Sequence, residues 1–305
     1  MCGLAVTAVL PYNAIWLSGR AFGVTMVPIE GGSMPPADYD HFTTHDGLPI
    51  AYRVSGQGKP VVLIHGYTVP STVNYATHYR ASTDGSLVPV AGPTVESALL
   101  DAGFQVVMYD LRGHGHSAKP HDPARYGMDA HVGDVQALVA HLSLDRAAIV
   151  GYSFGATIAG RLLSLPWVSA AVLSGTGSYH VEGENPDYDK DSSDLARCFS
   201  EGCWDEYPEL KWLRMTAQLD ADADFLALAA VARGARPVPK ESLQAVTIPV
   251  LVLNGGADAG ARDEFDLTPF VPGARRAVGG DRDHAGAPGD RLFQGEIVRF
   301  LETAG

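Results

Sequence analysis

The sequence has few cysteines and few basic residues, and each shortage excludes a class of protein. It contains three cysteines, Cys2, Cys198 and Cys203, in 305 residues. A disulfide framework or a zinc site needs more cysteines at close, repeated spacing, so we predict neither. The 22 basic side chains are outnumbered by 35 acidic ones, which gives a net charge of −13. Phosphate contacts need clustered Lys and Arg, so we expect no nucleic-acid partner.

Long apolar runs are also missing. The uncharged N-terminal run Leu4–Leu10 is interrupted by Pro11 and is too short to cross a bilayer. The first positive charge is Arg20, so the basic region of a secretory signal is absent as well. We interpret residues 1–33 as an irregular extension, and an upstream start with Met34 as the working initiator is one explanation for it. We therefore expect a cytoplasmic protein with no membrane partner.

What the sequence does have is an apolar fraction of 46 %, enough for a large core. Short, nearly continuous apolar runs are typical of parallel strands that are buried on both faces. Such runs occupy residues 61–64, 105–109, 147–150, 168–173 and 250–253. Helical periods lie between several of them, so we predict an α/β fold with a doubly wound, mostly parallel sheet. The Asp46-Gly47 pair predicts a hairpin between residues 39–44 and 48–54.

Two stretches interrupt the alternation of strands and helices. Between Gly66 and Gly103 only residues 94–102 have a helical pattern, which leaves a long loop after the first buried strand. Residues 179–245 contain no buried strand but show patchy helical spacing of apolar residues. We expect a small helical cap at residues 179–245, and an α/β core made of residues 34–178 and 246–305.

The strongest chemical signal is the pentapeptide Gly151-Tyr152-Ser153-Phe154-Gly155. The G-x-S-x-G pattern alone is weak, but here it follows a predicted strand and opens a predicted helix that continues through residue 163. In such a turn there is no room for side chains beside the serine, which explains Gly151 and Gly155. The turn presents the hydroxyl at a helix N-terminus, which favours developing negative charge. We predict that Ser153 is a nucleophile; the alternative is a small-residue turn with a capping serine.

A serine nucleophile needs a base, and a histidine base needs a carboxylate to orient it. Asp258 lies just beyond the last predicted strand, and His284 lies ahead of the final helix. The chain order of serine, aspartate and histidine predicts a catalytic triad of Ser153, Asp258 and His284. Three other carboxylates compete for the acid position, and we rank them below Asp258: Asp281, Asp283 and Asp263.

With these motifs the chain resembles the α/β-hydrolase superfamily, in the branch with a helical cap after the sixth strand. The resemblance covers residues 40–303. It rests on Leu63-Ile64-His65-Gly66-Tyr67, on residues 110–117 (Asp-Leu-Arg-Gly-His-Gly-His-Ser), on the pentapeptide, and on the pair of Asp258 and His284. The resemblance implies the fold and the triad and says almost nothing about the substrate.

The resemblance also implies an oxyanion hole formed by the backbone N–H groups of Tyr67 and Phe154. His65 and Gly66 would then support that loop and would not transfer protons. The insertion after Tyr67 is longer than members of the family usually carry, so the resemblance defines the position of Phe154 more closely than that of Tyr67.

Other residues that could carry chemistry have simpler interpretations. Two of the three clustered histidines lie in a turn that is a fold element in the resembling family, so we predict no metal site at His114, His116 and His121. The resemblance implies no diffusible cofactor. We expect Cys198 and Cys203 to be free thiols, because no motif supplies a partner for a catalytic thiol.

A serine at the centre of the pentapeptide argues against the haloalkane dehalogenase and epoxide hydrolase branches, which use an aspartate. Acyl transfer to Ser153 remains, and we expect a neutral carboxylic ester or lactone of small to medium size. Residues 182–224 hold 13 acidic and four basic side chains, which should repel anionic substrates if they face the pocket. The other interpretation is that these charges form a solvated outer face.

Three alternatives stay open at this stage. A cofactor-free perhydrolase and a carbon–carbon bond hydrolase would use the same triad. A ligand-sensing receptor that retains the triad is an alternative of another class. The sequence does not indicate the oligomeric state.

Overall fold

The computed structural model describes residues 39–81 and 87–304. The predicted extension 1–33 and the proposed initiator Met34 lie outside this range. The strands of the described residues are β1 (Asp40–Thr43), β2 (Pro49–Ser55), β3 (Pro60–Ile64), β4 (His78–Ala81), β5 (Leu87–Val90), β6 (Gln105–Tyr109), β7 (Ala147–Tyr152), β8 (Val168–Ser174), β9 (Val250–Asn254) and β10 (Arg275–Val278).

Helices lie between most of these strands. They are α1 (Val95–Asp101), α2 (Met128–His141), α3 (Phe154–Ala159), α4 (Tyr188–Glu201), α5 (Lys211–Ala217), α6 (Phe225–Gly234), α7 (Lys240–Gln244) and α8 (Arg291–Ala304). None of the helices in the described part of the chain is both long and apolar enough to cross a membrane.

Eight strands form one sheet in the order β1-β2-β6-β3-β7-β8-β9-β10. The pairs from β6 to β10 are parallel, while β2 pairs antiparallel with both β1 and β6. The predicted hairpin is confirmed, since β1 and β2 flank a turn in which Gly47 has a φ of 83°. The doubly wound, mostly parallel sheet expected from the apolar runs is therefore present.

The central strands are buried because helices cover both faces of the sheet. In β3, Val62 and Ile64 pack into one apolar cluster with residues of α2 and α3, and Val61 and Leu63 pack into a second cluster with residues of α1 and α8. Successive side chains of a strand point to opposite faces, so a continuous apolar run is needed when both faces are covered.

The segment between β8, the sixth strand of the main sheet, and β9 is helical and has an apolar cluster of its own. That cluster includes Phe199, Trp204 and Leu213. The two ends of the segment are tied together, because Val238 N–H donates to His180 O (2.7 Å) and Glu182 N–H donates to Val238 O (2.9 Å). The boundaries 179–245 as a separate cap domain stay a prediction.

The structure differs from the predicted elements in three places. The long loop after Tyr67 contains a π-helix, Thr72–Ala76, and the antiparallel pair β4 and β5. The edge strand β10 was not predicted because its sequence, Arg-Arg-Ala-Val, is half exposed and is not an apolar run. The helix after Ser153 is shorter than predicted, since α3 ends at Ala159.

A buried ion pair joins the turn after β6 to α2. Arg112 is fully buried and donates to both carboxylate oxygens of Asp134, with an Nε–Oδ2 distance of 2.7 Å. It also donates to Asp46 in the β1–β2 turn at 3.0 Å. Three segments that are distant in sequence therefore depend on one guanidinium.

We predict that Arg112→Met lowers the free energy of unfolding by about 3–5 kcal/mol, because it leaves the carboxylate of Asp134 buried without a counter-charge. Urea unfolding at neutral pH measures this loss. The matched control is Arg299→Met, which breaks the exposed pair with Glu296 and should change the same free energy by less than about 0.5 kcal/mol. Equal losses in the two variants would contradict the prediction.

Candidate active site

The turn between β7 and α3 holds Ser153 in a strained backbone conformation, with a φ of 54° and a ψ of −117°. Left-handed backbone is rare outside glycine and is found mostly at functional sites. The glycines on either side are required by space. A Cβ on Gly151 would lie 2.5 Å from the carbonyl oxygen of Gly155, and a Cβ on Gly155 would lie 1.9 Å from that of Ile64.

The structure brings the three predicted triad residues into one hydrogen-bonded line. His284 Nε2 lies 3.0 Å from Ser153 Oγ, and His284 Nδ1 lies 2.8 Å from Asp258 Oδ2. The second oxygen of Asp258 accepts from Gly260 N–H at 3.1 Å. In this order the carboxylate fixes the imidazole so that Nε2 can accept the serine proton.

Asp258 is buried and ionised. Burial by itself would raise the pKa of this carboxyl, but the His284 ring and the Gly260 N–H together hold it below the usual range. The three competing carboxylates, by contrast, are exposed. Asp283 is exposed and caps the next turn by accepting from Gly286 N–H at 2.9 Å, and Asp263 pairs with Arg276 at 2.7 Å.

Aromatic side chains that the sequence analysis did not single out hold His284 in place. The Tyr152 hydroxyl donates to the carbonyl oxygen of His284, and the two rings are 5.2 Å apart. Trp212 of α5 stands edge-on to the imidazole at 5.9 Å. The signal for Tyr152 was its place inside the pentapeptide, whereas nothing in the sequence links Trp212 to His284.

Phe154 and Tyr67 both line the cavity in which Ser153 lies. Phe154 is the first residue of α3, so its N–H is among those that lack an acceptor within the helix. The amides on either side of Tyr67 are fixed, because Gly66 N–H donates to Asn74 Oδ1 at 2.8 Å and Thr68 N–H donates to His114 Nε2 at 3.3 Å. The oxyanion-hole role of Tyr67 and Phe154 stays a prediction.

The long insertion supports this loop. Asn74 returns from the π-helix to accept from Gly66, and Tyr75 donates its hydroxyl to the carbonyl oxygen of Ile64 at 2.8 Å. Thr68 has a φ of 73°, and its hydroxyl lies 2.7 Å from that of Thr216 in α5. Asn74 could not be predicted from the sequence, because its side chain reaches Gly66 only after the chain folds back.

His65 has both ring nitrogens engaged in the protein interior. Nδ1 lies 2.7 Å from Gly66 O, and Nε2 accepts from Leu111 N–H at 2.8 Å. Burial lowers the pKa of this histidine, so the ring is neutral. This arrangement fits a supporting residue between the β3 loop and the turn after β6.

The other histidines considered for metal binding point to separate partners. His114 is buried against Thr68, His116 faces Asp110 at 3.5 Å, and His121 faces Asp224 at 2.8 Å. Among the described residues no group of three or more histidine, cysteine or acidic side chains is placed to hold a metal ion.

A cavity of about 640 Å³ opens at Ser153. Its size is in the range of pockets for small organic ligands. Its wall is mainly apolar. The wall is formed by the loop after β3, the insertion after Tyr67, the loop that contains His284, and the helices α4, α5 and α6. His180 also lines it, and burial lowers the pKa of this histidine to about 3, so His180 adds no charge.

The acidic side chains of residues 182–224 mostly face solvent, which supports the outer-face interpretation for most of them. Asp191 of α4 differs, because it is buried and lines the cavity. Burial raises the pKa of Asp191 to about 6. Its Oδ2 atom has no hydrogen-bond partner among the described residues. The pocket therefore contains one buried carboxylate whose charge is poorly compensated.

Comparison with known proteins finds one matching family model and several relatives. A family model described as alpha/beta hydrolase fold matches residues 59–203. A non-heme chloroperoxidase of Kitasatospora aureofaciens is 31 % identical over 153 residues, which cover 48 % of this chain and 47 % of that protein. A bifunctional esterase/perhydrolase of Acinetobacter calcoaceticus is 30 % identical over 154 residues, covering 48 % and 49 %. The chain thus spans about half the length of these curated relatives.

Solved structures extend the likeness to most of the chain. A thermophilic esterase from Thermogutta terrifontis matches with a TM-score of 0.68 and 23 % identity, covering 88 % of this chain and 100 % of that one. At this identity the likeness shows the fold alone.

We predict that Asp258→Asn slows the covalent labelling of Ser153 by a fluorophosphonate by roughly 100- to 10,000-fold, because an amide favours the wrong imidazole tautomer. Intact-mass measurement over time gives the labelling rate. Asp283→Asn is the matched control, an identical change one residue from His284, and should alter the rate less than about twofold. A larger loss in the control than in Asp258→Asn would overturn the assignment of the acid.

Proposed function

We propose that this chain, which has the α/β-hydrolase fold, is a serine hydrolase that cleaves a neutral carboxylic ester or lactone of small to medium size. The observation that carries the proposal is the line from Asp258 through His284 to Ser153 Oγ, which ends in a largely apolar cavity. Esterases among the proteins of the same fold support the choice of reaction.

The chemistry follows from the positions of the atoms. His284 Nε2 takes the proton of Ser153 Oγ as the oxygen attacks the carbonyl carbon of the substrate. The N–H groups of Tyr67 and Phe154 would donate to the oxygen that becomes negative. His284 then gives its proton to the leaving alcohol, and a water molecule releases the acyl group from Ser153 by the same route in reverse.

The pocket favours an uncharged substrate. Its wall is mostly aliphatic and aromatic, and the buried Asp191 opposes a second negative charge nearby. The charged residues at the His284 loop, Asp281, Arg282 and Asp283, are exposed and can be hydrated. We therefore assign the discrimination between neutral and anionic substrates to Asp191.

Perhydrolysis is the second candidate. The esterase/perhydrolase and chloroperoxidase relatives favour it over other reactions of the fold. In this reaction hydrogen peroxide replaces water as the acceptor of the acyl group, so a peracid is formed. Assaying peracid with and without peroxide separates this reaction from plain hydrolysis.

We predict that the wild-type protein hydrolyses several short-chain esters with multiple turnovers, and that Ser153→Ala lowers kcat by roughly 1,000-fold or more because it removes the attacking oxygen. A panel of p-nitrophenyl esters and lactones, with Ser153→Ala as the blank, measures this. Ligand binding by the folded wild type without multiple turnovers would replace the proposal with a ligand-sensing receptor.

We predict further that a neutral ester has a higher kcat/KM than a matched ester with a remote carboxylate. The ratio of the two values should rise with pH through about 6, because Asp191 loses its proton there and becomes negative. The titration of groups that both substrates need cancels in this ratio. Steady-state kinetics from pH 5 to about pH 8 measures it.

Two variants locate the charge responsible. Asp191→Asn should lower the ratio at neutral pH and remove its pH dependence. Asp189→Asn removes an exposed charge from the same helix and should leave both unchanged. If the two variants behave alike and added salt abolishes the preference, the outer charges of residues 182–224 are responsible instead of Asp191.

A further inference from the structure

The sulfur atoms of Cys198 and Cys203 lie 2.8 Å apart, although both residues are free thiols. Non-bonded carbon atoms, which are smaller than sulfur, stay about 3.5–4.0 Å apart, so this is a close contact. The pair belongs to the helical segment between β8 and β9 and takes no part in the reaction proposed for Ser153.

The local sequence brings the two thiols together. Cys198 lies in the last turn of α4, and the helix ends at Gly202, which has a φ of 77° and donates its N–H to Cys198 O at 3.0 Å. This left-handed backbone conformation reverses the chain, and glycine adopts it most easily. The reversal returns Cys203 to the side of the final helical turn.

The two thiols have different surroundings. Cys198 is fully buried, and burial raises its pKa to about 12. Cys203 is only partly buried. Cys203 is the more exposed of the two, so it is the thiol that a soluble oxidant meets first, and Cys198 is the resolving thiol.

We propose that Cys198 and Cys203 form a reversible intramolecular disulfide when the protein meets a hydroperoxide. The Cys203 sulfur attacks one peroxide oxygen and the O–O bond breaks, so that a sulfenic acid forms and the leaving hydroxide takes up the Cys203 proton as water. The Cys198 sulfur then attacks the Cys203 sulfur, an S–S bond forms, and the hydroxyl leaves as water with the proton of Cys198. In total, two thiols and one hydrogen peroxide give one disulfide and two waters.

This modification acts on a part of the wall of the cavity. The residues next to the thiols, Phe199 and Trp204, pack edge-to-face at 4.9 Å, and Phe199 packs against the Tyr67 ring at 5.7 Å. Earlier turns of α4 supply Asp191 and Leu195 to the cavity. A covalent link at the end of α4 therefore stabilises the segment that carries these contacts and leaves the triad untouched.

Peptide mapping of the intact protein tests the proposal. Trypsin cleaves after Arg197 and Lys211, so both thiols fall in one peptide of residues 198–211. After hydrogen peroxide, quenching and alkylation under denaturing conditions, this peptide should be lighter than its reduced form by roughly 2 Da and should carry no alkyl group. Treatment with dithiothreitol before alkylation should restore two alkyl groups.

Two cysteine variants control this experiment. Cys2→Ser serves as the background, so that no third thiol takes part. Adding Cys203→Ser should abolish the mass loss and leave Cys198 open to alkylation.

The thermal midpoint gives a second measurement. In the Cys2→Ser background oxidation should raise the thermal midpoint by a few degrees, and in the double variant it should not. Two alkyl groups on peptide 198–211 after peroxide, or higher oxidation of Cys203 without the mass loss, would overturn the proposal. The mass readout needs no ester turnover and is independent of the proposed hydrolase activity.

Discussion

The contact between the first turn of α3 and the carboxyl end of β3 is the constraint on which the candidate site depends. Gly155 lies so close to the Ile64 carbonyl that its missing Cβ would be 1.9 Å from that oxygen. The Cβ position of Gly66 is likewise only 3.3 Å from Ser153 Cβ. The same close packing therefore fixes the serine and the loop that presents Tyr67. Gly155 permits an approach that no side chain allows, and Gly66 avoids a contact with Ser153 that would be tighter than usual.

The buried carboxylate of Asp110, which follows β6, holds the long insertion after Tyr67 against the sheet. Asp110 is fully buried and accepts hydrogen bonds from Ser71 N–H (2.9 Å), Ser71 Oγ (2.6 Å) and His116 N–H (2.9 Å). Burial alone would raise the pKa of Asp110, but the hydrogen bonds from His116 and Ser71 lower it to about 2. The carboxylate is thus charged throughout the physiological range, and the chain after Tyr67 is anchored within four residues.

The sequence predicts those features that follow from local rules. Apolar runs locate the central strands, and the turn chemistry of the pentapeptide, with the order of serine, acid and base, points to Ser153, Asp258 and His284. Features that need tertiary contacts could not be predicted. Asn74 reaches Gly66 only after the π-helix folds back, and β10 pairs at an edge without an apolar run. The net charge of residues 182–224 did not reveal that Asp191 alone among its acidic residues is buried in the cavity wall.

Tyr67 connects the two parts of the site. Its backbone belongs to the loop after β3, but its hydroxyl donates to Leu228 O in α6 at 2.7 Å and its ring packs against Phe199 in α4. The N–H proposed to stabilise the oxyanion is therefore linked to the helical segment through the side chain of the same residue. A displacement of α4 or α6 acts on the side chain of Tyr67, and within the same residue it is transmitted to the backbone N–H. The substrate selection proposed for the helical segment and the transition-state stabilisation proposed for Tyr67 therefore share one residue, and we expect substitutions around Phe199 to alter kcat as well as KM.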